Sequence, residues 1–177
     1  MTIQIGAKPD SGFDDPIGML LDCHRRIEHF VNTLAIVADR ARARALTGEE
    51  AEAVQSALHY FRAAGQRHNV DEEESLFPRL RAESAVGDFE ELNTLEGDHR
   101  RASVLHHLVE TLYAEWIEAR CLDDHDAERL WSSTAQLRQL YEEHIQMEEK
   151  QVFPRARALL SGVAIASIGR EFQARRN

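Results

Sequence analysis

Apolar residues recur along this chain at steps of three and four, and no segment alternates with a period of two. From Pro16 to about Leu46 the recurring positions are Leu20, His24, Ile27, Val31, Leu34 and Val37. Pro16 suits the first turn of a helix there. Thr47-Gly-Glu-Glu50 reads as a capping box that opens a second helix. Its inward positions are Leu58, Phe61, Gly65, His68, Glu72 and Leu76, and Pro78 is expected to disrupt it. Gly87-Asp88 marks a break. A third helix is expected from about Asp88 to Cys121, with Leu92, Leu95, His99, Leu105, Leu108 and Leu112 facing inward. Asp123-Asp124 caps a fourth that reaches Pro154 and a turn or two beyond. Ser161-Gly162 sets off a short last helix, Val163 to about Arg175, which either closes one end of the bundle or makes a homodimer contact. The expected fold is all-α, an up-down-up-down four-helix bundle with a short extra C-terminal helix. The bundle takes residues 16–160, after a flexible lead-in over 1–15 and before a C-terminal helix and tail over 161–177.

Histidine and glutamate interrupt this apolar pattern twice in the same way. Residues 68–82 read HNVDEEESLFPRLRA and residues 144–158 read HIQMEEKQVFPRARA, identical at eight of fifteen positions. About one identity would be expected from composition alone. A lone histidine precedes each copy, His24 by 44 residues and His99 by 45. Both lone histidines carry an aspartate just before and two arginines just after: Asp22-Cys-His24-Arg-Arg and Asp98-His99-Arg-Arg.

Four residues is just over one helical turn, so His68 and Glu72 share a face, as do His144 and Glu148. His24, His68, Glu72, His99, His144 and Glu148 all fall on inward faces, where a bundle builds its metal sites. Buried glutamates are costly to ionise alone, and cations between them and the imidazoles would resolve that cost. Two imidazoles and one oxygen from each of two bridging carboxylates supply four bonds to each of two metals. An oxo or hydroxo bridge makes five and leaves one octahedral position open. Mixed imidazole and carboxylate ligation with open positions suits two iron ions, then manganese; zinc favours closed four-coordinate sites.

With those six residues the chain resembles the haemerythrin-like proteins of the HHE cation-binding class. The resemblance implies a four-helix bundle holding a di-iron centre for dioxygen or nitric oxide. The oxygen-carrying members have a further histidine four residues after the third-helix ligand, where this chain has Ser103. They also place an aspartate five residues after the fourth-helix histidine, where this chain has Glu148 at four. The four-His, two-Glu set is more similar to the di-iron domain of iron-centre repair proteins, which usually carry an added N-terminal cysteine-bearing domain that this chain lacks.

Other residues are read more plainly. Glu73 and Glu149 are duplicated but lie about 100° around the helix from their neighbours, and are expected to face solvent or to support a ligand. Glu28 is expected in a salt bridge, and His29, His59, His107 and His125 on the surface. His106 is expected in the core or beside the ligands, and Phe77-Pro78 and Phe153-Pro154 as helix terminators with an apolar anchor. Ala64-Gly65 before His68 and Leu140-Tyr141 before His144 differ in bulk. Either they shape a ligand pocket beside the metals, with Tyr141 as a hydrogen-bonding group, or Tyr141 only fills the space Gly65 leaves.

Charge and composition narrow the functions. A net charge of −10 argues against nucleic-acid binding, and the basic C-terminal cluster of Arg170, Arg175 and Arg176 is too small to reverse that. No apolar run is long enough to span a membrane, and the N-terminus lacks a signal-peptide pattern. Cys23 and Cys121 stand in no redox or metal spacing, so a cytoplasmic setting is expected. The expected function is a di-iron protein with open positions for dioxygen, nitric oxide or peroxide, in sensing, scavenging or stress response. The alternatives are a di-iron enzyme acting on peroxide or nitric oxide, and a protein of iron storage, donation or repair.

Overall fold

The computed structural model describes residues 10–40, 44–83 and 90–177. Among these all regular structure is helical. We number five helical rods. α1 is Pro16–Arg40 and α2 spans 48–83; α3 is Glu90–Ala119, α4 is Asp124–Leu159 and α5 is Gly162–Ala174. The capping box at Thr47 is present in both directions, and Asp123 and Ser161 cap α4 and α5 through their side chains. α3 gives way to a turn through Arg120, which adopts φ 64°. The breaks expected at Gly87-Asp88, the first residues of the third helix and most of the lead-in lie outside the described residues.

Two expectations are corrected. The first helix is described as far as Arg40 and does not run to Leu46, since residues 44–47 are non-helical. The indole of Trp116 donates to the Arg44 carbonyl, and the Arg44 guanidinium pairs with Glu50, so this segment satisfies its polar groups without a helix. Pro78 and Pro154 do not terminate their helices: α2 continues to Glu83, and α4 to Leu159, within the turn or two expected beyond Pro154. A π-helical turn precedes each proline, over Glu72–Leu76 and Glu148–Val152. There the amides of Phe77 and Phe153 reach back five residues, to the carbonyls of Glu72 and Glu148. The extra residue restarts the helix at the phenylalanine, so the proline stands in a first turn, where its missing N–H costs nothing.

The buried side chains form two apolar clusters. One gathers Ile27, Val31 and Leu34 of α1, Val54 to Phe61 of α2, Val109 to Trp116 of α3 and Leu130 to Ile145 of α4. The other gathers Ile17 and Leu20, Leu76 to Leu80, Leu92 and Leu95, and Val152 to Leu160. α1 passes from the second cluster to the first, α2 back again, α3 as α1 does and α4 as α2 does. On every one of these helices the histidines and glutamates singled out above stand at or near the passage between the clusters, so a polar layer lies between two apolar cores.

α5 covers the second core. Ile168 and Phe172 are buried in it, and Gly169 meets the chain before α1 so closely that a β-carbon there would collide with the Phe13 carbonyl oxygen. Its C-terminal end is pinned by Arg175 and Arg176, which both pair with the fully buried Asp71 at 2.9 and 2.5 Å. Arg79 of α2 pairs with Glu171 of α5 at 2.5 Å.

Candidate metal centre

The six residues singled out by the duplication converge. His24, His68, Glu72, His99, His144 and Glu148 are all buried, although each comes from a different turn of the chain. They form two groups of potential ligand atoms, His24–His68–Glu72–Glu148 and Glu72–His99–His144–Glu148, with the atoms of each group within 4.8 Å of one another. The two groups share both carboxylates.

Each glutamate faces both groups. Glu72 places Oε1 3.4 Å from His68 Nε2 and Oε2 3.4 Å from His99 Nε2. Glu148 places Oε2 3.0 Å from His24 Nε2 and 3.3 Å from His144 Nε2. Among the described residues, eight buried side-chain nitrogen and oxygen atoms lack a hydrogen-bond partner, and every one belongs to these six residues. They are both oxygens of each glutamate, Nε2 of His24, His99 and His144, and Nδ1 of His68. Unpaired buried polar atoms normally cost 1–3 kcal/mol each, so so many in one place call for a ligand. A pair of cations fits this donor set of imidazole nitrogens and carboxylate oxygens.

The duplicated motif also supplies the supports. Glu149 Oε1 lies 2.9 Å from His24 Nδ1, and Glu73 Oε1 lies 2.7 Å from His99 Nδ1. Phe153 stacks on His24 with ring centroids 5.3 Å apart, and Phe77 on His99 at 6.4 Å. Each His-x-x-x-Glu-Glu…Phe segment thus offers one carboxylate to the centre. With the next glutamate and the phenylalanine it clamps the lone histidine of another helix. The one-residue step from Glu72 to Glu73 turns the second carboxylate outward, which is why one of the pair faces in and the other holds a ring from behind.

Asp98, which the sequence marks only as the aspartate before His99, is buried and sits 3.6 Å from His144 Nδ1. Its place beside the duplicated His-Arg-Arg was the signal that could have found it. Asp22 stands two residues before His24 where Asp98 stands one before His99. That step turns it away: it accepts from the Ser11 amide and from Arg25. Glu28 is exposed and outside both groups, as are His29, His59, His107 and His125. His106 is half-buried, with Nε2 2.9 Å from the Tyr141 hydroxyl.

Protons respond to the same arrangement. Burial alone would lower His24 and His144, but the carboxylates beside them prevail. Glu148 and Glu149 raise His24 to about 9, and Glu148 and Asp98 raise His144 to about 10. Burial raises Glu72 well above the usual carboxylate range, helped by the negative Glu148 beside it. Burial would raise Glu148 too, yet the cationic His144 and His24 hold it well below that range. Burial and the neighbouring cationic imidazole lower His68 and His99. Without metal, then, each group holds one protonated imidazole against Glu148, with a proton where a cation would stand.

Compared with known proteins, residues 15–156 match the hemerythrin HHE cation binding domain, most of the chain. The chain belongs to this hemerythrin HHE family. A relative in Haemophilus influenzae, described as an uncharacterized protein, is 28% identical over 169 residues, covering 93% of this chain and 91% of its own length. The described residues are helical, and the family together with the buried His/Glu groups, which could hold metal ions, points to a metal-binding protein. No single helix among the described residues is long and apolar enough to cross a membrane.

Proposed function

We propose that this hemerythrin-domain protein holds two iron ions and uses them to bind a small ligand, dioxygen, nitric oxide or peroxide, in sensing, scavenging or stress response. The observation that carries this reading is the sharing of Glu72 and Glu148 between two groups that each add two imidazoles. His24 and His68 would hold one ion, His99 and His144 the other, and the two carboxylates would bridge them. The alternating passage of four helices between two cores supports the up-down-up-down bundle that such a centre needs.

Iron in this setting supplies one-electron redox chemistry and coordination positions that the six residues leave unfilled. The chain's own residues do the rest. Glu73, Glu149 and Asp98 fix the orientation of three imidazoles through their Nδ1 atoms. Phe77, Phe153, Leu76 and Val152 seal the centre on the side of the second core, which keeps water from that flank.

Two further features favour ligand binding over a purely structural ion. Two imidazoles and one oxygen from each glutamate would give each ion four protein bonds, which closes a tetrahedral structural site but leaves an octahedral iron with open positions. A cavity on the side of the first core also has wall residues one helical turn from proposed ligands on three helices. The test is anaerobic: iron-loaded protein is reduced, then exposed to dioxygen or nitric oxide while its absorption spectrum is followed. Reversible spectral change with either gas is expected; a reduced protein inert to both would refute the reading.

A further inference from the structure

A cavity of about 230 Å³ opens between α2 and α3 and is floored by Tyr141 of α4. Three of its wall residues stand one helical turn from proposed ligands on three helices: Gly65 from His68, Ala102 from His99 and Tyr141 from His144. The opposite flank of the polar layer is packed shut with Leu76, Phe77, Val152 and Phe153, none more than 2% exposed.

The cavity exists because the two halves of the chain differ here. By the 76-residue offset of the duplication, Gly65 corresponds to Tyr141 and Phe61 to Leu137. α2 carries a π-helical turn over Phe61–Gly65, while α4 is regular α-helix through Tyr141. A β-carbon at Gly65 would lie 3.2 Å from the Phe61 ring, so the bare glycine lets that ring lie against the helix. The phenol does not simply fill the space that Gly65 leaves, since both residues line an open volume.

The polar groups have a distinct character. Tyr141 is 7% exposed and its hydroxyl lies 2.9 Å from His106 Nε2. Burial holds the phenol well above its usual range, with Tyr60 and the Glu72 carboxylate adding to the effect. Burial lowers His106 to about 4, against a small opposing pull from Glu110. Both partners are therefore neutral near pH 7, and a neutral phenol–imidazole pair can both donate and accept a hydrogen bond. Gln66, Asn69 and Ser103 continue the hydrogen-bonding lining toward the surface, where Arg62 and Glu110 pair across the rim at 2.6 Å.

Free dioxygen and nitric oxide are very weak acceptors with no proton to donate, and gain little from such a lining on their way to a metal. Hydrogen peroxide donates and accepts at both oxygens. Resting on the di-metal reading above, we infer that this cavity is the entry and positioning site for hydrogen peroxide, or a small hydroperoxide, with Tyr141 held by His106 as the group that binds it beside the metals. Tyr141 and His106 act by hydrogen bonding, and no bond to oxygen is made or broken by them.

The experiment has two arms, both on the full chain. In metal-free protein, hydrogen peroxide is titrated while amide resonances are followed by NMR. Shifts at Gly65, Ser103 and His106 are expected, and their loss in Ser103→Trp, an exposed position at the mouth that tolerates bulk. Ala102→Leu, which narrows the inner wall, serves as the second blocking variant. In iron-loaded protein, stopped-flow absorbance gives association rates for hydrogen peroxide and for dioxygen. Tyr141→Phe and His106→Leu should slow peroxide about fivefold to tenfold, the loss of one hydrogen bond, and change dioxygen less than twofold. Absent amide shifts, or blocking variants that leave both the shifts and the rates unchanged, overturn the entry site. Equal slowing of peroxide and dioxygen in Tyr141→Phe overturns the positioning role. An iron-loaded wild type inert to every probe would instead strike at the di-iron reading, and the metal-free arm would still decide the cavity.

Discussion

The outer carboxylates Glu73 and Glu149 offer the sharpest perturbation, because each touches one lone histidine and belongs to neither ligand group. Replacing Glu149 with glutamine keeps shape and removes charge behind His24, 2.9 Å from Nδ1. Loss of such a supporting partner typically weakens a metal site by 10–100-fold. Glu149 is 41% exposed and Glu73 39%, so water screens both and the lower end applies. About tenfold is expected, or about 1.4 kcal/mol by the usual conversion. The geometry adds a more specific expectation: Glu149→Gln should weaken only the position built on His24 and His68, and Glu73→Gln only that built on His99 and His144. Competition of each variant against a chromogenic chelator measures this directly. Each single variant should show one normal step and one step displaced about tenfold, and the double variant should displace both. Unchanged loading in both single variants, or loss of both metals from either one, would refute the division of labour.

Three other outcomes follow. Metal loading at pH 7 should release at least two protons, one each from His24 and His144, which are raised to about 9 and about 10 without metal; weakly buffered titration with a pH indicator counts them. The sign for stability then differs between the two forms: the metal-free fold keeps the full benefit of these raised histidines only below their ordinary value of 6.5, and loses it as pH rises through 9 to 10. Metal affinity, in contrast, should grow over that window, so melting temperatures of chelator-treated and loaded protein must diverge from pH 7 to 9; parallel curves would contradict the assignment. At the closed end, Gly169→Ala should lower the melting temperature because its β-carbon would collide with the Phe13 carbonyl, and Arg175→Ala with Arg176→Ala should cost about 2–3 kcal/mol by leaving Asp71 buried without its partners, the usual penalty reduced because both arginines are partly exposed. A calorimetric scan that matched wild type in either case would show that α5 does not secure the bundle.

Much of the fold was legible because it depends on repetition. The inward series on α1 from Leu20 to Val37 and on α2 from Leu58 to Leu76 are buried as their spacing requires. The duplication brought out six residues that converge in space, since a motif copied onto two helices keeps its inward positions while the residues between them drift. What escaped was set by geometry without a local signature. Pro78 and Pro154 read as stops under the ordinary hydrogen-bond register, and only the π-turns before them allow the helices to go on. The non-helical segment over 44–47 is held by Trp116, 72 residues distant from the carbonyl it bonds. On α3, Leu105 and Leu108 are only half-buried while Ala102, Val109 and Tyr113 lie deeper. The His106–Tyr141 pair became visible only once separate helices were set side by side, whereas Asp98 carried a signal in its place before the duplicated His-Arg-Arg.

The central claim is a pair of metal positions that share two carboxylates. Its most direct test is the metal content of protein produced with iron available, by elemental analysis alongside the ultraviolet-visible spectrum. The account predicts about two irons per chain, matching the two groups, with charge-transfer absorption from a bridged pair, and loss of both ions in Glu148→Gln. One metal per chain, or none, with a featureless spectrum, would contradict it.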